Sequence, residues 1–489
     1  MPGAAGRQWR ARCRGRPGRP TRRNGSVFPR TSPSDRSTWS RRLRVTPALV
    51  TVSALAVGLA PSAAFPVTLP AAAAARSASA VGPAGSAAAA QGGEQAQRAR
   101  LRQLAQRLVD TGAPGVVVRV DDGRGRPVEI AAQAPWSVRD HRLKAGDEFR
   151  MGSNTKTMMA VLVLQLVAEG RLSLDDPVEK WLPGAVPNGA AMTLRMLLNH
   201  TSGLFDYTQD GALLGSILGR DPHRWTSTEL LAVGARHEPL FAPGTKWSYS
   251  NTDYAAVGAV LERVTGAALA DLVRDRIARP LKLDHTYLAT DSTWRGRHAR
   301  GYEPDPAHMP PGVPDAFREV AGPRRDGHVD VSGNDPSWGG AAGAVVSIPQ
   351  DWSRFYTALM SGRLLPAAQL QQMLTTVPVD PENPGAGSGL GIVTAATPCG
   401  TVWAHDGGIT GYSSSNYTDR AGSRTATVLF STELLFEFEA DPKLVEASQE
   451  LQTAVLCAMF DKPVPTTPLT TAPPTATPPT AGPATARAR

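Results

Sequence analysis

Strand-forming sequence stands at both ends of the foldable part of this chain, with helical and loop-rich sequence between, and this arrangement restricts the fold more than any other feature. Leu101, Leu104, Leu108 and Val109 share one face at helical spacing, and the β-branched run Val116–Val120 follows. Asp121-Asp122-Gly123 then turns the chain into a second strand, Pro127–Ala132. Far downstream, Thr401–His405, Tyr412–Thr418 and Thr425–Ser431 alternate as strands, the last two joined by the turn-like Asp419-Arg420-Ala421-Gly422. A closing amphipathic helix carries Leu444, Leu451, Val455 and Met459. Strand backbones must pair, so the two ends are expected to build one antiparallel sheet flanked by helices, with a mostly helical subdomain inserted at about residues 175–335. The expected fold class is α/β, in the α+β sense.

The basic balance of the chain lies outside that folded part. From Met1 to Arg44 there are 13 Arg and one acid, Asp35, so residues 45–489 hold 39 basic and 42 acidic side chains. The body is mildly acidic and has no clustered cations for a phosphate backbone, which argues against a nucleic-acid partner. Val45–Ala60 is apolar for about the length of a secretory core and is followed by small residues through Ala71–Ala75. It is too short and Ala-rich for a stable membrane span. Residues 1–75 are therefore expected to be a leader that exports the protein. Ser40-Arg41-Arg42-Leu43-Arg44 fits the twin-arginine route, and the long basic stretch fits a translation start downstream of Met1 equally well. Residues 76–97 read as a flexible Ala/Gly/Ser spacer, 98–462 as the folded domain, and 463–489 as a disordered Pro/Thr/Ala-rich tail. Cys13 falls in the leader, leaving Cys399 and Cys457 as either one disulfide or two unpaired small apolar side chains. No CxxC or HExxH occurs, and neither metal nor organic cofactor is expected.

Three short segments carry chemistry. Ser153-Asn154-Thr155-Lys156 opens a helix whose run Met158, Val161, Leu162, Leu164, Leu166, Val167 is strongly apolar, and Lys156 alone among the lysines has a Ser three residues earlier. A serine hydroxyl needs an adjacent base, which a Lys of lowered pKa can supply. Tyr249-Ser250-Asn251 precedes another helical run; a phenol can relay a proton and an amide can hold both a Lys and a substrate carbonyl. His405-Asp406-Gly407-Gly408 ends a strand, where glycines admit a ligand backbone and an N–H can donate to an oxyanion. Each segment also has an ordinary reading. The first fits a capping Ser with a Lys reaching to solvent, the second a turn Tyr with a capping Asn, and the third a Gly-rich turn.

In this order and spacing the three segments resemble the serine β-lactamase and penicillin-binding DD-peptidase superfamily. Tyr-x-Asn and His-x-Gly are similar to the branch holding class C β-lactamases and the secreted D-alanyl-D-alanine carboxypeptidases of actinomycetes. Phe149-Arg150-Met151-Gly152, Leu198-Asn199-His200-Thr201-Ser202-Gly203-Leu204, Phe205-Asp206-Tyr207 and Gly339-Gly340-Ala341-Ala342-Gly343 extend the likeness. The resemblance implies a β-lactamase/transpeptidase-like fold, with Ser153 as acylated nucleophile and Lys156 and Tyr249 as the proton-transfer pair. It gives Asn251, Asp406 and Gly407 places in the substrate cleft and His405 an electrostatic role. The backbone N–H groups of Ser153 and Gly408 would form the oxyanion hole, and Cys399 and Cys457 would be bridged. The implied function is that of a secreted, monomeric serine hydrolase, most like a D-alanyl-D-alanine carboxypeptidase, acting on a small peptide, ester or β-lactam. An esterase, a D-aminopeptidase, a β-lactamase and a non-catalytic penicillin-binding module are the alternatives.

Two departures bear on substrate. The carboxypeptidases hold the free carboxylate of the peptide with an Arg, whose position aligns with about Val393, and with hydroxyls, whose positions align with Asp406 and Gly408. An anion facing the cleft at Asp406 would disfavour a carboxylate and point toward esters, neutral amides or an amine-bearing D-peptide. The other reading is that Asp406 turns to solvent and Arg324 or Arg325 serves the carboxylate. An α/β-hydrolase is excluded because no Ser sits in Gly-x-Ser-x-Gly.

Overall fold

A computed structural model describes residues 83–464, apart from 312, 381–384, 438 and 440. The expected leader, 1–75, and most of the tail lie outside the described residues. The first helix, α1 (Pro83–Asp110), begins inside the stretch that the sequence reads as a spacer. The cause is helix propagation. Leu101, Leu104 and Leu108 are buried and fix the downstream turns, after which Ala- and Gln-rich residues extend the helix at little cost, with Pro tolerated in the first turn.

Both ends of the chain enter one sheet. Its strands are β1 (Gly115–Asp121), β2 (Val128–Gln133), β3 (Val377–Pro378), β4 (Ala386–Ser388), β5 (Val393–Thr397), β6 (Gly400–Ile409), β7 (Tyr412–Thr418) and β8 (Thr425–Phe430), in the order β2-β1-β8-β7-β6-β5-β4-β3. Every neighbouring pair is antiparallel. The join between the termini is β1 on β8, with Val116 opposite Phe430 and Val120 opposite Ala426. Side chains alternate across the sheet as the pleat requires. Val116, Val118, Val428 and Phe430 face α1 and the closing helix α5 (Pro442–Met459), where they meet Leu104, Leu108, Leu451 and Val455. Val117 and Leu429 face the opposite layer.

That second layer holds α2 (Thr155–Ala168), α3 (Asn251–Thr265) and α4 (Pro349–Met360). α2 is apolar around nearly its whole circumference, and only a central position satisfies such a helix. Its residues from Thr155 to Leu164 are all buried, among them Met158, Leu162 and Leu164 at 0 % exposure. A small sheet of Phe149–Arg150, Tyr287–Leu288 and Val345–Ser347 ties down the approach to α2, and Met151 N donates to Val345 O at 2.8 Å. The Arg150 guanidinium, fully enclosed, packs over the rings of Trp294 and Tyr412 and donates to Ser332 O. The inserted segment is mostly helix and loop, with one further small sheet of Tyr302–Pro304, Arg324–Arg325 and His328–Asp330. Among the described residues no helix is long and apolar enough to cross a membrane.

Cys399, just before β6, and Cys457, in α5, are buried and joined, with Cα atoms 5.0 Å apart across 58 residues of sequence. The bond fastens the closing helix to the strand that carries the third chemical segment. Closing a loop of that length removes unfolded-state entropy equivalent to about 4 kcal/mol. Treatment with a thiol reductant is therefore expected to lower the melting temperature of the folded protein by several degrees, and Cys457→Ala to do the same without reductant. A melting curve indifferent to reductant, with two titratable thiols in the oxidised protein, shows the bridge does not form.

Candidate active site

The chain enters α2 through a single 3-10 turn, Gly152–Asn154, rather than starting the α-helix at Ser153. Gly152 takes φ +50°, a region costly for any residue with a side chain, and a β-carbon there would lie 2.7 Å from both N and O of Gly408. The turn is thus pressed against β6. Asn154 braces it from below, its amide donating to Ser414 Oγ at 2.8 Å and to Met151 O at 3.2 Å. Ser153 is half-buried at the mouth of this turn and makes no capping bond, so the capping reading of the sequence does not hold.

Lys156 sits one turn later, fully buried, with its Nζ 3.0 Å from Ser153 Oγ, 2.7 Å from Asn251 Oδ1 and 2.9 Å from Ala342 O. As an ammonium it donates all three bonds. As a neutral amine it donates two and accepts the serine proton, so the same cage serves both states. Burial lowers its pKa to about 7, against the opposing pull of Asp206 and Asp253. Asn251 is the first residue of α3 and is oriented by Asp206, which accepts from Asn251 Nδ2 at 2.9 Å. Its Oδ1 therefore turns toward Lys156 instead of capping the helix. Tyr249 is 6 % exposed, with Lys156 Nζ 4.7 Å from its ring centre and the His200 ring 4.5 Å away on centroids.

β6 does not stop at His405. It runs through the whole box to Ile409, paired with β7 as His405 to Asn416, Asp406 to Ser415, Gly407 to Ser414 and Gly408 to Ser413. The glycines serve a contact different from the one the sequence suggested: a β-carbon at Gly407 would lie 2.1 Å from Met151 O and 2.9 Å from Ser153 N. They let the strand lie against the nucleophile turn, which brings the N–H groups of Ser153 and Gly408 into one neighbourhood. Beyond Ala404 the strand leaves β5, whose register ends there, so residues 405–409 keep one edge for a ligand backbone. His405 shares the face of Gly407. Burial lowers its pKa to about 3, and Nδ1, 2.6 Å from Asp406 O, donates to that carbonyl. Its electrostatic part is that of a neutral dipole.

Asp406 takes neither position expected of it. Strand alternation places it on the opposite face from Ser153, in line with Val402 and Ala404 and across from Ser415, and its Oδ1 is enclosed without a hydrogen-bond partner. Burial raises its pKa to about 6, partly offset by a hydrogen bond from Ser415. Arg324 and Arg325 are exposed on the small sheet of the insertion, Arg325 with its Nε 3.0 Å from Asp140 and Arg324 3.9 Å from Asp305. Val393 is half-buried on β5.

Four polar side chains and one backbone carbonyl with no sequence-derived role complete the site. Asp206 orients Asn251, Ala342 lends its carbonyl, and Asp253 accepts from His200 Nδ1 at 2.9 Å and from Ser202, holding the imidazole against Tyr249. His200 and Asp206 lie in stretches quoted only for resemblance, and Asp253 stands in the first turn of α3, where an acid is ordinary. Among the described residues no group of three or more His, Cys, Asp or Glu could hold a metal.

A hydroxyl bonded to a buried amine of low proton affinity, beside backbone amides at a glycine-lined crossing, defines an acyl-serine hydrolase site. Residues 101–449 match the Beta-lactamase family, and the chain belongs to it. It is a serine hydrolase with the fold shared by β-lactamases and penicillin-binding proteins. Esterase EstB from Burkholderia gladioli is 36% identical over 176 residues, 34% of this chain and 45% of that protein, so the match spans less than half of that curated relative. The solved D-stereospecific amidohydrolase from Streptomyces sp. is similar over 72% of this chain and 98% of its own, at 38% identity and a TM-score of 0.62. The D-amino acid amidase from Ochrobactrum anthropi SV3, solved with D-phenylalanine, is similar over 72% and 98%, at 26% identity and a TM-score of 0.61.

Only the neutral amine of Lys156 accepts a proton, so acylation is expected to rise with pH through about 7 and level off above it. Asp206 favours the ammonium form, so Asp206→Asn is expected to shift the rising limb to lower pH. A limb that stays in place or moves upward in pre-steady-state acylation shows that another group titrates. Ser153→Ala is expected to abolish covalent labelling by a fluorophosphonate; persistent labelling of that variant places the nucleophile elsewhere.

Proposed function

We propose that this chain hydrolyses amides or esters of D-configured amino acids, or of short peptides built from them, through an acyl-Ser153 intermediate. The observation that carries this reading is an intact acylation site beside which Val393, half-buried on β5, stands where the resemblance leads one to expect the carboxylate-binding Arg of the carboxypeptidases. The similarity to the Streptomyces amidohydrolase, extending over nearly the whole of that chain, supports the D preference. The likeness to EstB supports esters as substrates. A carboxypeptidase acting on a free C-terminal D-Ala, the substrate class first expected, is served less well by such surroundings. Export is part of the same proposal, resting on the leader pattern of the sequence.

In this mechanism neutral Lys156 takes the Ser153 proton as Oγ attacks the scissile carbonyl, and the oxyanion is held by the N–H groups of Ser153 and Gly408. Tyr249 relays the proton from Lys156 to the leaving amine or alkoxide. Breakage of the C–N or C–O bond leaves the acyl-enzyme. Water then attacks the ester carbon, gives its proton back through the same pair, and frees the D-acid and the Ser153 hydroxyl.

A panel of D-phenylalanine amide, L-phenylalanine amide and an N-acyl-D-Ala-D-Ala peptide tests the assignment. The D-amide is expected to exceed both others in kcat/KM by about 100-fold, a span that pocket contacts to a single stereocentre and an unmatched charge can supply. Faster release of D-Ala from the peptide than of ammonia from the D-amide returns the carboxypeptidase assignment.

A further inference from the structure

The loop that packs against Tyr249 carries a strained residue. His200 has φ +62°, and among the described residues it is the one buried non-glycine side chain in the left-handed region. Asn188, Lys282, Asp326, Glu439 and Asp461 share that conformation and are exposed. A glycine would remove the cost, which a histidine bears in full. Strain kept at an enclosed position points to the side chain that it holds in place.

The loop is fastened to the segment that leads to Tyr249. Ser248 N donates to His200 O at 3.0 Å, Gly244 N to Thr201 O at 2.7 Å and Leu240 N to Gly203 O at 2.8 Å. The imidazole lies against the phenol ring, 4.5 Å away on centroids, with the rings of Tyr254 at 5.4 Å and Trp247 at 6.3 Å around it. Its Nε2 is enclosed without a hydrogen-bond partner, so the direction of the ring is set from the Nδ1 side, where Asp253 Oδ2 lies at 2.9 Å. Asp253, itself fully enclosed and bonded by Ser202, stands two residues after Asn251 in α3. One helix end thus orients both an acceptor for Lys156 and the ring that walls Tyr249. Burial, and after it Lys156 and His405, hold the His200 pKa well below the ordinary imidazole range, so the ring supports Tyr249 without adding a cation beside Lys156.

We infer that His200, tethered by Asp253, is a positioning residue that holds the Tyr249 phenol in line for proton transfer to the leaving group, and so sets how well the enzyme cleaves amides relative to activated esters. This rests on the acyl-Ser153 reading above, in which Tyr249 passes to the departing atom the proton that Lys156 takes from Ser153. An amide C–N bond breaks as that proton reaches the nitrogen, and the amine leaves neutral. A nitrophenyl ester C–O bond breaks with the electron pair on a stable nitrophenolate, which needs no proton. Displacement of the phenol by about 1 Å therefore slows amides strongly and activated esters little.

The test measures kcat/KM, which reports acylation, for D-phenylalanine amide and for D-phenylalanine p-nitrophenyl ester. His200→Asn supplies a residue tolerant of the left-handed region and an amide N–H for Asp253, and removes the ring. It is expected to lower the amide-to-ester ratio by about 10- to 100-fold, and His200→Phe, which returns a ring without the tether, to lower it less. Fluorophosphonate labelling of Ser153, in which fluoride leaves without a proton, reports in each variant that the site is assembled. Equal losses on amide and ester, or a ratio unchanged in the labelled variants, overturn the positioning role. If the Asn variant does not label, the ratio in the Phe variant decides alone. Tyr249→Phe separates the inference from its basis: a ratio unchanged there overturns the relay, and a wild type that cleaves neither substrate overturns the D-amide and D-ester reading.

Discussion

The enclosure of the Lys156 side chain is the constraint on which the site depends. An ammonium in a protein interior is strongly unfavourable unless several acceptors surround it, and a neutral amine there is the form that can serve as a base. The structure meets both needs with three oxygens drawn from widely separated parts of the chain: Ser153 from its own turn, Asn251 from the start of α3 and Ala342 from the short helix Gly340–Gly343 that precedes the small-sheet strand Val345–Ser347. Asp206 and Asp253 lie just behind, each with its own pKa raised by burial, and they limit how far that of the lysine falls. The poise near neutrality is thus a balance between desolvation and two carboxyls, set by packing rather than by direct ion pairing.

The same packing explains why two glycines face each other at the crossing of the nucleophile turn and β6. Met151, Gly152, Gly407 and Gly408 meet at distances that leave no room for a β-carbon. Close approach of two backbones aligns amide groups at fixed positions before substrate arrives, which is the form of electrostatic stabilisation least dependent on motion. Ser414 fills the remaining gap, donating to Met151 O at 2.9 Å and receiving the Asn154 amide.

Much of this was legible in the sequence where the signal was local. The periodicity of Leu101 to Val109 and of Leu444 to Met459 identified the helices that cover one face, and Val116–Val120 and Tyr412–Thr418 identified strands that the structure reproduces closely. Ser153, Lys156, Tyr249, Asn251 and His405 were named, and all five gather in one place. What escaped was non-local or depended on parity. Ending β6 at His405 hid the alternation that sends Asp406 to the far face. Asp206 and Asp253 act on residues 45 or more positions away and carry no mark in their immediate sequence. The α1 extension was missed because Ala-rich composition reads as flexible when no large apolar group is present, although it propagates a helix seeded next to it.

The pairing of β1 with β8 also sets the order in which this protein can be assembled. Until the last strand has been made, β1 and β2 form a two-stranded hairpin with no third strand, and such hairpins are marginal in water. Meanwhile α2, apolar around its circumference, has already been synthesised and lacks the sheet that will cover it. Formation of the sheet must wait for contacts spanning most of the domain, which places this chain among slowly folding topologies. The acylation site, which needs β6 beside the nucleophile turn, is consequently among the last parts of the molecule to come into being.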